Sequence, residues 1–161
     1  MAREEVYVSM MVDTLERKKT ILEKLLCQTR EQETLLKDEE IDVETFQNII
    51  DRKGEEIEKL NQMDEGFDTL FRYVEKEITA NRMMYKKQIL QMQKLINEVS
   101  ELGIQIQALE HQNSGHFKIY LANQKQSVKK FYTNNRTAAN YYQNMANAHK
   151  PGNSYFFNET K

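Results

Sequence analysis

The chain has 161 residues, of which 30% are charged, with a formal net charge of −2, five glycines and one proline, Pro151. Few turn formers among many Glu, Lys, Gln, Leu and Met residues predict long helices and exclude folds built from short strands. No run of 18 apolar residues is present, so no membrane span is predicted. A lone cysteine, Cys27, and an N-terminus without an apolar signal core favour a cytoplasmic location.

The first segment, residues 4–37, has helical periodicity. Six of nine positions spaced alternately by three and four residues between Val8 and Leu36 are apolar. The exceptions are Lys18, Thr29 and Gln32. A charged turn near residues 38–42 ends this helix, and the carboxylate of Asp42 is placed to cap the next one.

The second segment predicts a helix over residues 43–78. Eight of the ten positions spaced alternately by three and four residues from Phe46 to Ile78 are apolar. The exceptions are Lys53 and Asp64. Gly54 and Gly66 are the weak points, because glycine lowers helix stability.

The third helix begins after a turn near residues 79–82. Eight of 11 spaced positions between Tyr85 and Tyr120 are apolar. The stripe then fails, and a new one appears in a shifted phase at Phe117, Leu121, Val128 and Phe131. The change falls on Asn113-Ser114-Gly115, a group of helix breakers, so the helix is predicted to kink there or to stop and restart.

Three helices joined by short turns predict an all-α fold, an antiparallel bundle of three long helices. The first two helices are each about 50 Å long at about 1.5 Å per residue. The third matches them only to about residue 118, so the extra C-terminal helical or extended segment either overhangs the bundle or folds back on it. We therefore predict a bundle core over residues 1–112 and a C-terminal helical arm and tail over 113–161.

This C-terminal arm differs from the core in composition. Residues 1–110 carry a net charge of −8, whereas residues 111–158 contain no acid and six basic residues. Nine of the 15 aromatic residues also lie in this second range. The arm is therefore basic and rich in aromatic side chains.

No enzymatic, metal or cofactor site is predicted. His111 and His116 are five residues apart, which places them on different sides of a helix, and no Glu-x-x-His pair is present. The chain has no glycine-rich phosphate loop. Nucleic-acid binding is not predicted either, because the arm is only modestly basic and the acidic core repels phosphate.

The methionines have two interpretations, of which ordinary core filling is favoured over a second partner surface. Met10 and Met11 lie near the start of the first helix, and Met83, Met84 and Met92 near the start of the third. In the predicted bundle these groups meet at one end. They either fill the core or form an adaptable apolar surface, since methionine is flexible and polarisable.

One segment resembles a known family. Met63-Asp64-Glu65-Gly66-Phe67, followed by Leu70, Val74 and Ile78, is similar to the second helix of FlgN-like flagellar export chaperones. The resemblance extends over nearly the whole chain, through Ile106–Glu110 and Asn135–Tyr142 to Tyr155-Phe156-Phe157.

The resemblance implies a cytosolic helical chaperone of the flagellar type III export system. Such proteins bind the C-terminal helical region of hook–filament junction proteins and deliver them to the export gate. By analogy, the partner surface lies in the arm and comprises Phe117, Tyr120, Leu121, Val128, Phe131, Tyr141, Tyr142 and Met145. The tail residues Tyr155, Phe156 and Phe157 are candidates for docking to the client or the gate.

The alternative is a structural coiled-coil or tethering protein that acts through helix-mediated oligomerisation. A dedicated coiled coil keeps one strict heptad over many turns. Here four glycines interrupt and the stripe changes phase, which favours a compact bundle. The oligomeric state, a homodimer included, stays open at this point.

Overall fold

A computed structural model describes residues 3–124 together with residues 136, 140 and 141. Within this part of the chain the protein is all-helical, without strands. The helices are α1 (Arg3–Leu36), α2 (Val43–Glu65), α3 (Phe67–Ala80) and α4 (Lys86–Gln124). The predicted fold class, all-α, is confirmed. None of these helices is long and apolar enough to cross a membrane.

Asp42 caps α2 as its position in the sequence predicts. Its Oδ1 atom accepts a hydrogen bond of 3.2 Å from the Thr45 amide, and its Oδ2 atom accepts one of 2.8 Å from the Thr45 hydroxyl. These donors lower the pKa of the Asp42 carboxyl, because they stabilise its charged form. The cap satisfies an amide of the first turn and fixes where α2 begins.

The second predicted helix is divided at Gly66. The α2 helix ends at Glu65 and α3 begins at Phe67, whereas the periodicity predicted one helix over residues 43–78. Gly66 has φ −100° and ψ 0°, and its carbonyl still accepts from the Leu70 amide at 3.2 Å. Glycine has no side chain to hold the helical conformation, so the break falls at one of the two predicted weak points.

Of the two predicted alternatives at Asn113-Ser114-Gly115, the stop and restart is wrong, and the kink stays a prediction. The α4 helix, which is 39 residues long, continues through these three residues. From residue 99 onward its buried positions keep helical spacing and are Val99, Gly103, Ile106, Glu110, Asn113, Phe117 and Leu121. The apolar pattern changes phase because these buried positions advance slightly further per turn than alternate steps of three and four residues, and Glu110 and Asn113 interrupt the pattern because they are polar. The predicted boundary between residues 112 and 113 therefore falls inside a continuous helix.

The helices pack through three apolar clusters along α1. The first cluster joins the start of α1 to α3 and the start of α4; it includes Val8, Met11, Leu15, Val74, Ile78, Tyr85, Ile89 and Met92. The second lies in the middle and includes Leu22, Leu25, Ile57, Leu60, Val99 and Ile106. The third lies at the far end, where Ile41 and Phe46 meet Phe117 and Leu121. The starts of α1 and α4 thus lie together, and so do their ends.

Candidate partner surface and buried polar layer

The predicted partner residues on α4 belong to the third cluster. The rings of Phe117 and Phe46 are stacked, with centroids 5.2 Å apart and planes 5° apart. Phe117 and Leu121 are buried, and Tyr120 is half-buried beside Phe117. This end of α4 is therefore held against α2 and the turn before it.

The third cluster is incompletely covered within the described residues. Its buried members are surrounded by Leu35, Leu36, Ile50 and Tyr120, which are only partly buried and pack against them. These four residues form what we call the third-cluster rim. The rim presents apolar surface from α1, α2 and α4 at one end of the molecule.

Tyr141 lies alongside the helices and not beyond the end of α4. Its side chain is half-buried against the second cluster, and its hydroxyl donates a hydrogen bond of 3.3 Å to Oδ2 of Asp64. Burial, together with the Asp64 charge, raises the pKa of the Tyr141 hydroxyl. The other oxygen of Asp64 accepts from Nζ of the buried Lys18 at 3.1 Å. Tyr141 thereby contacts both Asp64 of α2 and the second cluster.

The remaining predicted binding residues lie outside the described part of the chain. They are Val128, Phe131, Tyr142 and Met145 of the partner surface and Tyr155, Phe156 and Phe157 of the tail. Their roles stay predictions. The role of Phe117 and Leu121 in binding also stays a prediction, one that requires access to buried side chains.

A buried polar layer separates the second cluster from the third. It consists of Thr29 and Gln32 of α1, Lys53 of α2, and Glu110 and Asn113 of α4. Nζ of Lys53 contacts the Glu110 carboxylate and donates to Oε1 of Gln32 at 2.6 Å. The amide nitrogen of Asn113 donates to the Thr29 carbonyl at 3.1 Å. The layer thus joins three helices at one level.

The charges of this layer are almost fully removed from water. The side chains of Lys53 and Glu110 are 5% and 3% exposed. Burial lowers the pKa of the Lys53 ammonium to about 7, and the adjacent carboxylate favours its charged form. A buried ion pair adds little net stability but penalises every alignment that separates its members. We therefore interpret the layer as fixing the alignment of α1, α2 and α4.

The sequence signal for this layer is a set of polar residues on the apolar stripes. These residues occupy positions, spaced alternately by three and four, at which a buried helix face is otherwise apolar. Thr29, Gln32, Lys53 and Asn113 are all such exceptions. Glu110 does not fall on these spaced positions, so the sequence pattern did not identify it as part of the layer. Within the described residues, no three His, Cys, Asp or Glu side chains come together in a way that could hold a metal ion.

The two methionine groups meet at one end of the molecule, as predicted. Met11 and Met92 are fully buried in the first cluster. Met10, Met83 and Met84 lie outside it and are 48%, 87% and 57% exposed. This end therefore uses methionine both as core and as surface.

No family model, curated protein or solved structure matches this chain.

Proposed function

We propose that the protein is a cytoplasmic chaperone of flagellar protein export. In this proposal it binds the C-terminal helical region of hook–filament junction proteins, keeps them soluble and unassembled, and delivers them to the type III export gate. The proposal rests on the residue-level resemblance to FlgN-like chaperones and is supported by the all-helical fold. The task needs no catalysis, since it consists of holding and releasing a helix.

The finer architecture belongs to the same proposal. We infer that α2 and α3 together form the second long helical element, antiparallel to α1 and α4. The core is then a three-helix antiparallel bundle. The order of the clusters supports this, because α2 packs at the end of α1 and α3 at its start. The segment after α4 is then the additional C-terminal element.

The observation that carries the proposal is the third-cluster rim. Apolar side chains from α1, α2 and α4 remain partly exposed there, next to the end of α4 where the resemblance places the client surface. An amphipathic helix binds by laying its apolar face into such a surface between helices. Basic residues of the C-terminal arm would steer an acidic client toward the third-cluster rim.

The test is a titration of the full-length protein with the C-terminal segment of a junction protein. Tyr120→Ser removes a rim ring, and we expect client affinity to fall by about thirtyfold, which corresponds to about 2 kcal/mol for an aromatic residue at an interface centre. Ile119→Ser is the matched control, because Ile119 is the preceding residue of α4 and is 63% exposed outside the cluster. Equal affinities for both variants and the wild type would contradict the proposal.

Oligomerisation through α4 is the second candidate function, and a specific surface favours it. Leu90 and Ile104 of α4 are each 59% exposed. Between residues 102 and 117 the only Asp, Glu, Lys or Arg is Glu110, which is buried. Light scattering over a range of concentrations separates the candidates: a dimer that Ile104→Lys dissociates, without any binding of junction proteins, would favour the tethering function.

A further inference from the structure

The two ends of the molecule differ in charge. The turn after α1 carries the exposed acids Asp38, Glu39, Glu40 and Asp42, and Glu44 is exposed on the first turn of α2. At the other end, residues 78–97 contain four basic residues, Arg82, Lys86, Lys87 and Lys94, and no acid. The α1 helix, 34 residues long, separates these ends by about 50 Å.

The basic end also exposes large apolar side chains. Met83 and Met84 lie in the turn between α3 and α4 and are 87% and 57% exposed, and Leu90 on α4 is 59% exposed. Lys86 and Lys87 are exposed on the first turn of α4, between the methionines and Leu90. We call Met83, Met84, Lys86, Lys87 and Leu90 the basic–apolar tip.

We propose that the basic–apolar tip docks the protein on the surface of an anionic lipid bilayer. The methionines would enter the boundary between headgroups and acyl chains, while the lysines contact anionic headgroups. Interfacial segments that combine apolar side chains with Lys and Arg bind in this way, to a depth of about 5–10 Å. The acidic turn at the opposite end would point away from the negative surface.

The shape of the tip favours a bilayer over a partner helix. A helix ligand needs a groove with apolar walls. Met83, which is 87% exposed, has almost no walls around it. A bilayer needs no walls, because it supplies the apolar medium itself.

Three acids lie beside the proposed docking face, close enough to Tyr85 for their charges to raise its pKa beyond the effect of burial. Glu4 and Glu5 belong to the first turn of α1. Glu77 belongs to α3, and its carboxylate accepts hydrogen bonds of 3.1 Å from Asn81 Nδ2 and from the Tyr85 hydroxyl. The docking face is therefore confined to the turn and the first two turns of α4. It does not depend on the proposed chaperone function.

The test is co-sedimentation of the full-length protein with vesicles of phosphatidylcholine alone or with 30% phosphatidylglycerol. We expect binding to the anionic vesicles only, and weaker binding as salt is added. Lys86→Ser/Lys87→Ser should lower the partition coefficient by roughly thirtyfold, at about 1 kcal/mol per lysine. Met83→Ser/Met84→Ser should lower it by about tenfold, because the apolar anchor is lost.

One matched control variant and a stability measurement define the result. Ile119→Ser removes an exposed apolar residue elsewhere on α4 and should leave vesicle binding unchanged. All these positions are exposed, so thermal melts should stay within about 2 °C of the wild type. Absence of binding, equal binding to neutral vesicles, or tip variants that bind like the wild type would each overturn the proposal. A tip that serves only a protein partner would give the first of these outcomes.

Discussion

The ammonium group of Lys53 on α2 lies against the carboxylate of Glu110 on α4, 57 positions further along the chain, and both side chains are buried. Both charges have lost most of their hydration, and their mutual attraction offsets that loss. Removing one partner leaves the other as an isolated buried charge. Removing both charged groups eliminates the cost of their lost hydration together with their mutual attraction.

We expect Lys53→Met to lower the free energy of unfolding by about 3–5 kcal/mol, because Glu110 is left buried without a counter-charge. The double variant Lys53→Met/Glu110→Leu should be within about 1 kcal/mol of the wild type, or more stable. Urea unfolding followed by circular dichroism measures both. As a control, Lys37→Met breaks the pair with Glu33, whose two side chains are 68% and 30% exposed, and should cost less than about 1 kcal/mol. Additive losses in the double variant would contradict this account.

The apolar stripes were sufficient to predict the helices and most of the core. The polar residues on those stripes also carry information, because several of them contact one another. Lys18 meets Asp64, and Lys53 meets Gln32. A one-dimensional pattern identifies such residues as exceptions, but it does not pair them, since pairing depends on how far long side chains reach between helices.

Two features could not be predicted for related reasons. The continuity of α4 was left open because the apolar stripe lapses near the buried polar residue Asn113, which also belongs to a group of helix breakers. The position of Tyr141 was left open because its contact with Asp64 joins residues 77 positions apart. Local periodicity carries no information about such distant contacts.

Gly54→Ala should stabilise the protein by about 0.5–1 kcal/mol. Gly54 lies inside α2, and a Cβ atom added there meets nothing within 4 Å. Alanine has less freedom in the unfolded chain and a higher helix propensity. We expect thermal melting to rise by about 2–4 °C. A decrease would mean that the α2 surface around residue 54 contacts something that alanine disturbs.

Gly66→Ala tests the break between α2 and α3. The backbone at Gly66 lies in the right-handed helical region, and a Cβ atom there also meets nothing within 4 Å. We expect the variant to be at least as stable as the wild type and to show slower amide hydrogen exchange around residues 65–69. Exchange that remains as fast as in the wild type would show that packing, and not glycine, maintains the break.

Tyr85 should make the protein less stable at alkaline pH. Burial, followed by the hydrogen bond that its hydroxyl donates to Glu77, raises the pKa of Tyr85 to about 12. In the unfolded chain the pKa of tyrosine is about 10. The folded state therefore holds this proton more tightly, and its contribution to stability is complete below pH 10 and is lost as the pH rises through about 12.

The measurement compares the wild type with Tyr85→Phe, which keeps the ring in the first cluster. The stability advantage of the wild type over the variant at pH 8.5, from urea midpoints, should shrink at pH 11. The wild-type minus variant absorbance at 295 nm should titrate near pH 12. A difference that titrates near pH 10 would show that the Tyr85 hydroxyl is not held by Glu77 in solution.

Tyr141 decides whether the chain near this residue serves as core or as client surface. Its ring packs against the second cluster and its hydroxyl donates to Asp64, so we expect Tyr141→Ala to destabilise the fold by about 1–3 kcal/mol. Tyr141→Phe keeps the ring and should cost about 0.5–1.5 kcal/mol, because only the hydroxyl is removed.

Thermal melts and titration with a junction-protein segment are made on the same samples. Asn140→Ala is the control, because the neighbouring Asn140 is exposed, and it should leave both measurements unchanged. A lower melting temperature of Tyr141→Ala with client affinity retained would place Tyr141 in the core. This is the expected outcome, because its polar and apolar contacts are both satisfied within the chain. An unchanged melt with client affinity lost would instead return Tyr141 to the partner surface that the resemblance implies, and the client would then bind against α2 beside Asp64.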